Sequence, residues 1–443
     1  MKNKTLVLGL GVSGRAAAEF LLKQGDQVLG IDSNRDLLKT SEELRQLHAK
    51  GLQFQHDSDP VNWTAIARVV VSPGVSPQHP IYQGAKERNI ATGEAELALP
   101  YFDKPLVAVT GTNGKTTVTL LVEHILNAAG IKVKALGNVG TPLCAHLLQP
   151  SSDEAYVVEL SSFQLETMTT PVFEAAALLN VTPDHLDRYA NIEEYAKAKF
   201  HLQFLLKGNG PFFVQAGTAA AFSSMVSKDI QTFAVDGPAD LYTDRHSVYY
   251  REKIEFLMPD DYRKMGVHDH ENALAAWALC RPFSIDNEQF CKALATFKKP
   301  AHRIEFVREV DGIFYYDDSK GTNIDAVIQA VKAMNGPVIL IAGGIDKGAS
   351  YLLWKEHFVD KVKQIIAIGQ AAPKIYKELN PYFNIKLADT LAAAVQTASH
   401  DAASGDFVLL SPGCSSYDMF RDYVHRGEEF QRQVQSIEER RKT

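Results

Sequence analysis

The sequence predicts an α/β protein of about three domains built on mostly parallel sheets. Three observations carry this. A short apolar run, a glycine-rich turn and a helical period recur along the chain, which is the pattern of strand–loop–helix units. Two of these turns read as nucleotide-binding loops: Gly9–Gly14 has the G-x-G-x-x-G spacing, and Gly111–Thr117 is a shorter P-loop variant, with Val109 where the usual first glycine would fall. The chain has 443 residues, and roughly 100–200 residues per domain suggests about three domains.

The first segment, 1–98, has strand-like runs at 5–8, 27–31 and 68–71, with a helical period over 15–24. A break follows at Leu99-Pro100-Tyr101-Phe102-Asp103-Lys104-Pro105. The second segment, 99–299, has strand-like runs at 106–110, 156–160 and 175–180 and helical periods over 118–129, 192–206 and 271–280. A β-rich stretch lies at 247–258. The third segment, 300–443, repeats the theme with strands at 312–316, 337–341, 364–368 and 407–410.

Composition narrows the function. Hydrophobic residues make up 45% and charged residues 22%, enough apolar material for several cores, so a disordered chain is excluded. Lys+Arg total 46 against Asp+Glu 53, a net charge of −7. A general binder of the nucleic-acid backbone carries the opposite excess, so nucleic acid is not an expected partner. A local anion site remains compatible with that total. Cys144, Cys280, Cys291 and Cys414 are scattered and form no CxxC pair, which fits a reducing compartment. Lys2 and Lys4 precede the apolar run Leu6 to Val12, but the run is short and interrupted by Gly9 and Gly11. It reads as a first strand, not as a secretory signal. No apolar run approaches the ~18 residues of a membrane span, and the expected location is the cytoplasm.

The first loop, Gly9-Leu10-Gly11-Val12-Ser13-Gly14, joins a strand to a helix, and Asp32 ends the next strand. Glycines there let backbone N–H groups and a helix N-terminus approach a pyrophosphate, with the carboxylate at ribose distance. Alone, this loop predicts a nicotinamide dehydrogenase, or a tight turn without a ligand. The second loop, Thr110-Gly111-Thr112-Asn113-Gly114-Lys115-Thr116-Thr117, ends like a P-loop. Lys115 is placed for β- and γ-phosphates and Thr116 for Mg²⁺. A dehydrogenase needs no γ-phosphate clamp. Two loops in adjacent segments therefore predict two ligands, a nucleotide-bearing substrate and ATP.

Glu159 ends a strand beside this loop, a position from which a carboxylate binds Mg²⁺. The plainer reading is a carboxylate favoured by a following helix N-terminus. Asn180-Val181-Thr182-Pro183-Asp184-His185-Leu186-Asp187 supplies further polar groups after another strand. In the helical period over 192–206, Ile192, Tyr195, Lys199, Leu202 and Leu206 share one stripe. A lysine in an apolar stripe either snorkels to water or has a partner, a shifted pKa or a chemical change.

These motifs in this order resemble the Mur ligases of peptidoglycan synthesis, over essentially the whole chain. The resemblance rests on Gly9–Gly14, Ser72-Pro73-Gly74, Gly111–Thr117, Gly137-Asn138-Val139-Gly140 and Glu159–Gln164. It continues in Asp184-His185-Leu186-Asp187, Lys199, Asn272, His302-Arg303, Asp318-Ser319-Lys320 and Ser411-Pro412-Gly413-Cys414-Ser415-Ser416. It implies a Rossmann-like N-terminal domain, a central P-loop-type mononucleotide-binding domain and a Rossmann-like C-terminal domain. It also implies an ADP-forming ligase of cell-wall precursor synthesis. Such an enzyme would join D-glutamate to UDP-N-acetylmuramoyl-L-alanine through an acyl phosphate, with ATP and two Mg²⁺ ions, as a monomer. The alternative within the family adds L-alanine to UDP-N-acetylmuramate. A nicotinamide oxidoreductase would leave Lys115, Glu159 and Lys199 without a task, and a non-catalytic nucleotide-binding module would need no second metal or amino-acid pocket.

By the same resemblance, Lys115, Glu159, His185 and Lys199 are catalytic, and Thr116, Glu159, His185 and Lys199 serve metal. Lys199 does so as a carbamate (N6-carboxylysine), with general acid–base action by the unmodified amine as the alternative. Gly111, Thr112, Asn113, Gly114, Lys115, Thr116, Thr117, Asn272, Arg303 and Asp318 bind ATP. Ser13, Asp32, Gly74, Asn138, Ser161, Gln164 and His185 bind the UDP substrate. Lys320, Thr322, Lys347, Ser416 and Tyr423 receive D-glutamate. Three details depart from the family pattern, one being Gly321 within Asp318-Ser319-Lys320-Gly321-Thr322-Asn323, which bears on that loop's stiffness. Tyr423 stands where a related ligase has phenylalanine, and Asn34-Arg35 leaves the uracil contact unassigned.

Overall fold

The structure is a computed structural model and describes residues 4–227 and 229–438. It contains three sheets. The first is five-stranded and wholly parallel, ordered β3-β2-β1-β4-β5. Its strands are β1 (Lys4–Leu8), β2 (Val28–Asp32), β3 (Gln53–His56), β4 (Ile66–Val71) and β5 (Ala91–Gly93). β1 is fully buried from Thr5 to Leu8, as expected of an inner parallel strand covered on both faces.

The second sheet has nine strands in the order β14-β13-β12-β11-β10-β9-β6-β8-β7. They are β6 (Leu106–Thr110), β7 (Val133–Gly137), β8 (Ala155–Glu159), β9 (Phe173–Leu178), β10 (Phe212–Gln215), β11 (Ile230–Val235), β12 (Leu241–Thr243), β13 (Ser247–Tyr250) and β14 (Lys253–Leu257). The strands from β7 to β12 pair in parallel, and β12, β13 and β14 close the edge antiparallel. The β-rich stretch expected at 247–258 is this terminal hairpin. Helices Lys115–Ala128 and Val267–Cys280 share one core with the sheet, where Leu121, Ile125, Leu274 and Leu279 are each fully buried. Each such side chain contributes ~1.5–3 kcal/mol, so the helix carrying the second glycine loop is firmly held.

The third sheet is ordered β15-β16-β20-β17-β18-β19. Its strands are β15 (Glu305–Val310), β16 (Ile313–Asp317), β17 (Val338–Gly343), β18 (Val362–Ile368), β19 (Ile385–Leu387) and β20 (Phe407–Leu410). Only the β15–β16 pair is antiparallel.

The chain divides into two compact units. One holds residues 1–181 and 193–297 with the first two sheets, and the other holds 182–192 and 298–443 with the third. The sequence reading placed 182–192 in the middle segment, yet it packs with the second unit. The helix expected over 192–206 is α-helical only over Ile192–Phe200 and continues as a 3₁₀ turn, His201–Leu205. The helices expected from 15 and 118 begin earlier, at Val12 and Lys115, because both glycine loops enter their helices directly.

Candidate active site

In the first unit, β1 delivers the first glycine loop to the C-terminal edge of its sheet. Gly14 is required there, since a Cβ would come within 1.9 Å of the Gly9 carbonyl oxygen. The following helix starts at Val12 with no side-chain cap and no acidic residue in its first turn. Its N-terminal N–H groups are thus left to attract an anion. Asp32 braces the loop, because its carboxylate accepts from the backbone N–H of Leu10 (2.7 Å) and of Asn34 (3.0 Å).

A cavity of about 690 Å³ opens over this edge. Ser13, Asp32, Gly74, Asn138 and Gln164 all line it, so five of the seven residues expected at the UDP substrate converge. Ser161 is bound to Gln164 through a reciprocal capping box, Ser161 Oγ accepting from Gln164 N at 3.2 Å and Gln164 Oε1 accepting from Ser161 N at 3.0 Å. His185 belongs to the second unit. Sequence reasoning missed Asp57 and His79, which also line the cavity. They face each other at 3.5 Å (His79 Nε2 to Asp57 Oδ2). They lie outside the glycine motif, and only the strand order brings the loops after β3 and β4 to one rim. Neither Asn34 nor Arg35 lines the cavity, and the Arg35 guanidinium donates to Ser58 Oγ at 3.1 Å.

The second glycine loop follows β6, which lies between β8 and β9. Parallel register sets Val109 beside Glu159, and Gly137 beside Glu159 on the other side. The loop is held by Asn180. Its carbonyl oxygen accepts from Thr112 N (2.9 Å), its Oδ1 accepts from Asn113 N (2.7 Å), and its amide donates to the Asn113 carbonyl (3.2 Å). In the sequence Asn180 is only one of several polar groups after a strand, and here it braces the loop. Gly114 takes a left-handed φ of +84°, and a Cβ there would stand 2.7 Å from Asn272 Oδ1, so Asn272 lies against the loop. Thr116 and Thr117 are buried in the first turn of the helix.

Two lysine amines meet at this loop. Lys115 Nζ donates to the carbonyls of Gly111 (2.8 Å) and Thr112 (2.9 Å). Lys199 Nζ donates to the same Gly111 carbonyl at 2.8 Å and stands 4.5 Å from the centre of the Tyr195 ring. Lys199 is only 1% exposed, so the snorkelling reading is overturned and the amine is held inside.

Glu159 is equally buried, at 1%. Its Oε1 accepts from Asn138 Nδ2 at 2.6 Å, while Oε2 has no hydrogen-bond partner among the described residues. A buried carboxylate oxygen without a donor is costly, and a hard divalent cation satisfies it. An orphaned carboxylate oxygen on the strand next to the one that carries the P-loop-type turn fits Mg²⁺.

The second unit gathers the remaining residues at the C-terminal ends of β16, β17 and β20. Asp318 is buried and accepts from Ser411 Oγ (2.6 Å) and Ile304 N (3.3 Å). Burial pushes its carboxyl up to about 7, against the opposing pull of Ser411 and the Arg303 charge. Lys320 Nζ lies 4.0 Å over the Tyr423 ring, a cation–π contact that a phenylalanine ring would also offer. Ser416 is buried. Lys347 Nζ pairs with Asp184 Oδ1 at 3.1 Å and reaches Thr322 Oγ1 at 3.5 Å, so it is not a solvated loop lysine. Arg426, missed from sequence, is 1% exposed and ties these loops by donating to Ser319 Oγ (3.0 Å), Ser319 O (2.8 Å) and Cys414 O (3.2 Å). Burial pushes its guanidinium down to about 10.

The cysteines Cys144, Cys280, Cys291 and Cys414 form no disulfide. Among the described residues no helix is long and apolar enough to cross a membrane.

Comparison with known proteins agrees along the chain. Residues 3–93 match the Mur ligase MurD-like N-terminal domain, 109–280 the Mur ligase middle domain, and 302–414 the Mur ligase glutamate ligase domain. A UDP-N-acetylmuramoylalanine--D-glutamate ligase of Protochlamydia amoebophila is 48% identical, with 98% of each chain covered. One from Pelotomaculum thermopropionicum is 37% identical, again over 98% of each. The fold is similar to the crystal structure of UDP-N-acetylmuramate-alanine ligase from Thermotoga maritima, at a TM-score of 0.60 and 17% identity over 98% of this chain and 99% of that one. With matches to all three domains and a relative at 48% identity over nearly its full length, the chain belongs to the Mur ligase family.

Proposed function

We propose that this ligase uses ATP to join D-glutamate to UDP-N-acetylmuramoyl-L-alanine in the assembly of peptidoglycan precursors, in the cytoplasm and as a monomer. The observation that carries the reading is the 48% identical full-length relative of that name. The cavity over the first loop and the orphaned Glu159 oxygen support it chemically. The proposed division of labour is 1–98 for the UDP substrate, 99–299 for ATP and metal, and 300–443 for the amino acid and part of ATP.

An amine cannot displace oxide from a carboxylate. The terminal carboxylate of UDP-N-acetylmuramoyl-L-alanine therefore first takes the γ-phosphoryl group of ATP, releasing ADP. The amine of D-glutamate then attacks the acyl phosphate, and the tetrahedral intermediate loses phosphate and a proton to give the amide. Positioning and charge stabilisation do most of this work. Lys115 and the N–H groups of Gly111 to Thr117 hold the phosphates, while Asn272, Arg303 and Asp318 hold the rest of ATP. Thr116, Glu159, His185 and a carbamylated Lys199 hold Mg²⁺. Bound there, Mg²⁺ neutralises charge on the phosphates. In the carbamate, the Lys199 amine adds to CO₂ with loss of a proton, which turns a donor into an oxygen ligand suited to a hard cation. Ser13, Asp32, Gly74, Asn138, Ser161, Gln164 and His185 hold the UDP substrate. Lys320, Thr322, Lys347, Ser416 and Tyr423 hold D-glutamate.

The test supplies purified protein with ATP, Mg²⁺ and UDP-N-acetylmuramoyl-L-alanine, and phosphate release is expected only on adding D-glutamate. Equal turnover of L-alanine with UDP-N-acetylmuramate, or none with D-glutamate, overturns the assignment. Lys199→Ala should abolish ligation, with partial rescue by bicarbonate plus a short-chain acid. Full activity of that variant excludes an essential carbamate.

A further inference from the structure

Within the second unit, three loops meet at one buried carboxylate. Asp184 lies in the segment 182–192, Thr322 and Asn323 follow β16, and Lys347 follows β17. Asp184 Oδ1 accepts from Lys347 Nζ at 3.1 Å and from His185 N at 2.9 Å. Its Oδ2 accepts from Asn323 Nδ2 at 3.4 Å. Asn323 in turn caps the helix Ile324–Ala333 through Ala326 N at 2.9 Å, so the carboxylate is anchored to a regular element. Lys347 Nζ also reaches Thr322 Oγ1 at 3.5 Å. The side chains of Asp184 and Lys347 are only 7% and 14% exposed.

We infer that Asp184 is a positioning residue for D-glutamate, holding the Lys347 ammonium against Thr322 so that an incoming carboxylate meets it already oriented. The inference rests on Lys347 and Thr322 being part of the D-glutamate site, as read above. Lys347 comes soon after Gly343 and Gly344, both at left-handed φ (129° and 133°), a stretch whose glycines leave the backbone little intrinsic constraint. A lysine side chain loses up to ~2 kcal/mol of rotamer entropy when fixed. A counter-ion that fixes it during folding removes that loss from the binding step. A buried ion pair is weak evidence for stability, since apolar residues of similar volume often do as well in its place. What the charges add is orientation.

The test is a double-mutant cycle in the full-length enzyme with Asp184→Asn, Lys347→Gln and the two combined, folding being checked by thermal melting. Asp184→Asn should raise KM for D-glutamate about tenfold, with kcat and the KM values for ATP and the UDP substrate within about threefold. In the Lys347→Gln background the same change should move that KM less than about twofold, because the residue it acts through is gone. An unchanged KM for D-glutamate overturns the proposal, as does an equal penalty with and without Lys347. A shifted Mg²⁺ requirement in place of the KM effect also overturns it, since the action would then run through the adjacent His185. Should Asp184→Asn not fold, Asp184→Glu in the same cycle reads the same coupling. A wild-type enzyme that consumes no D-glutamate overturns the functional reading itself. A normal wild type with an uncoupled Asp184 overturns only this inference.

Discussion

The two glycine loops of the first unit are built alike and end in opposite surroundings. Each leaves a buried parallel strand and enters a helix without a side-chain cap. The loop after β1 borders an open cavity and is braced by a carboxylate, Asp32, that binds its backbone. The loop after β6 is braced by a neutral amide, Asn180, and receives two lysine amines on one carbonyl. Backbone geometry makes both loops anion sites. The added lysines, and the buried carboxylate on the neighbouring strand, make only the second suited to a terminal phosphate with its metal.

The sharpest break of this comparison is Lys115→Met. It should lower kcat by about 10³-fold or more, because the loop keeps its shape and loses its charge. Binding of the UDP substrate, measured by calorimetry without ATP, should stay within about threefold. A comparable loss of that binding would show that the two loops are not separate sites.

Glu159→Gln should come next, with about a 10²-fold loss of activity. The amide preserves size and can still meet Asn138, but it offers a metal no charge. A Mg²⁺ titration should show a raised requirement, and an unchanged one removes Glu159 from the metal site. Asp32→Asn should cost far less, about threefold to tenfold in KM for the UDP substrate and ~1 kcal/mol of stability. Its remaining carbonyl oxygen can keep one of the two backbone bonds. A loss as large as that of Lys115→Met would mean that Asp32 does more than brace the loop.

The smallest expected effect concerns the second unit. Hydrogen bonding to Asp317 at 2.7 Å raises the pKa of His302 above its ordinary value, against desolvation. A raised folded-state pKa contributes stability that is fully present below the unfolded value of ~6.5 and lost as pH rises through the folded value. His302→Gln should therefore lower the melting temperature more at pH 5.5 than at pH 9. An equal deficit at both would assign His302 a packing role only.

The local parts of the machinery were legible in the sequence because they depend on short-range spacing. Gly9–Gly14 and Gly111–Thr117 each place glycines, a helix start and, in the second case, a lysine within one turn of chain. Lys199 was marked by its place in an apolar stripe, although the stripe alone left its amine free to reach water. Asp57, His79 and Arg426 gave no such signal, and Asn180 only its place in a polar cluster. Their tasks arise from contacts with residues far away in the chain, such as Arg426 with Ser319.

The sequence by itself therefore determined the α/β class, the two anion-binding loops and the chemical character of the residues they carry. Local backbone geometry and helix periodicity require nothing from elsewhere. Tertiary structure alone decided that Lys199 is held inside on the Gly111 carbonyl, that Glu159 keeps one oxygen unsatisfied, and that Lys347 is paired with Asp184. It also decided that 182–192 packs with the second unit. Each of these depends on which strands are neighbours and in what register. Burial and charge pairing follow from that long-range order, which no local spacing encodes.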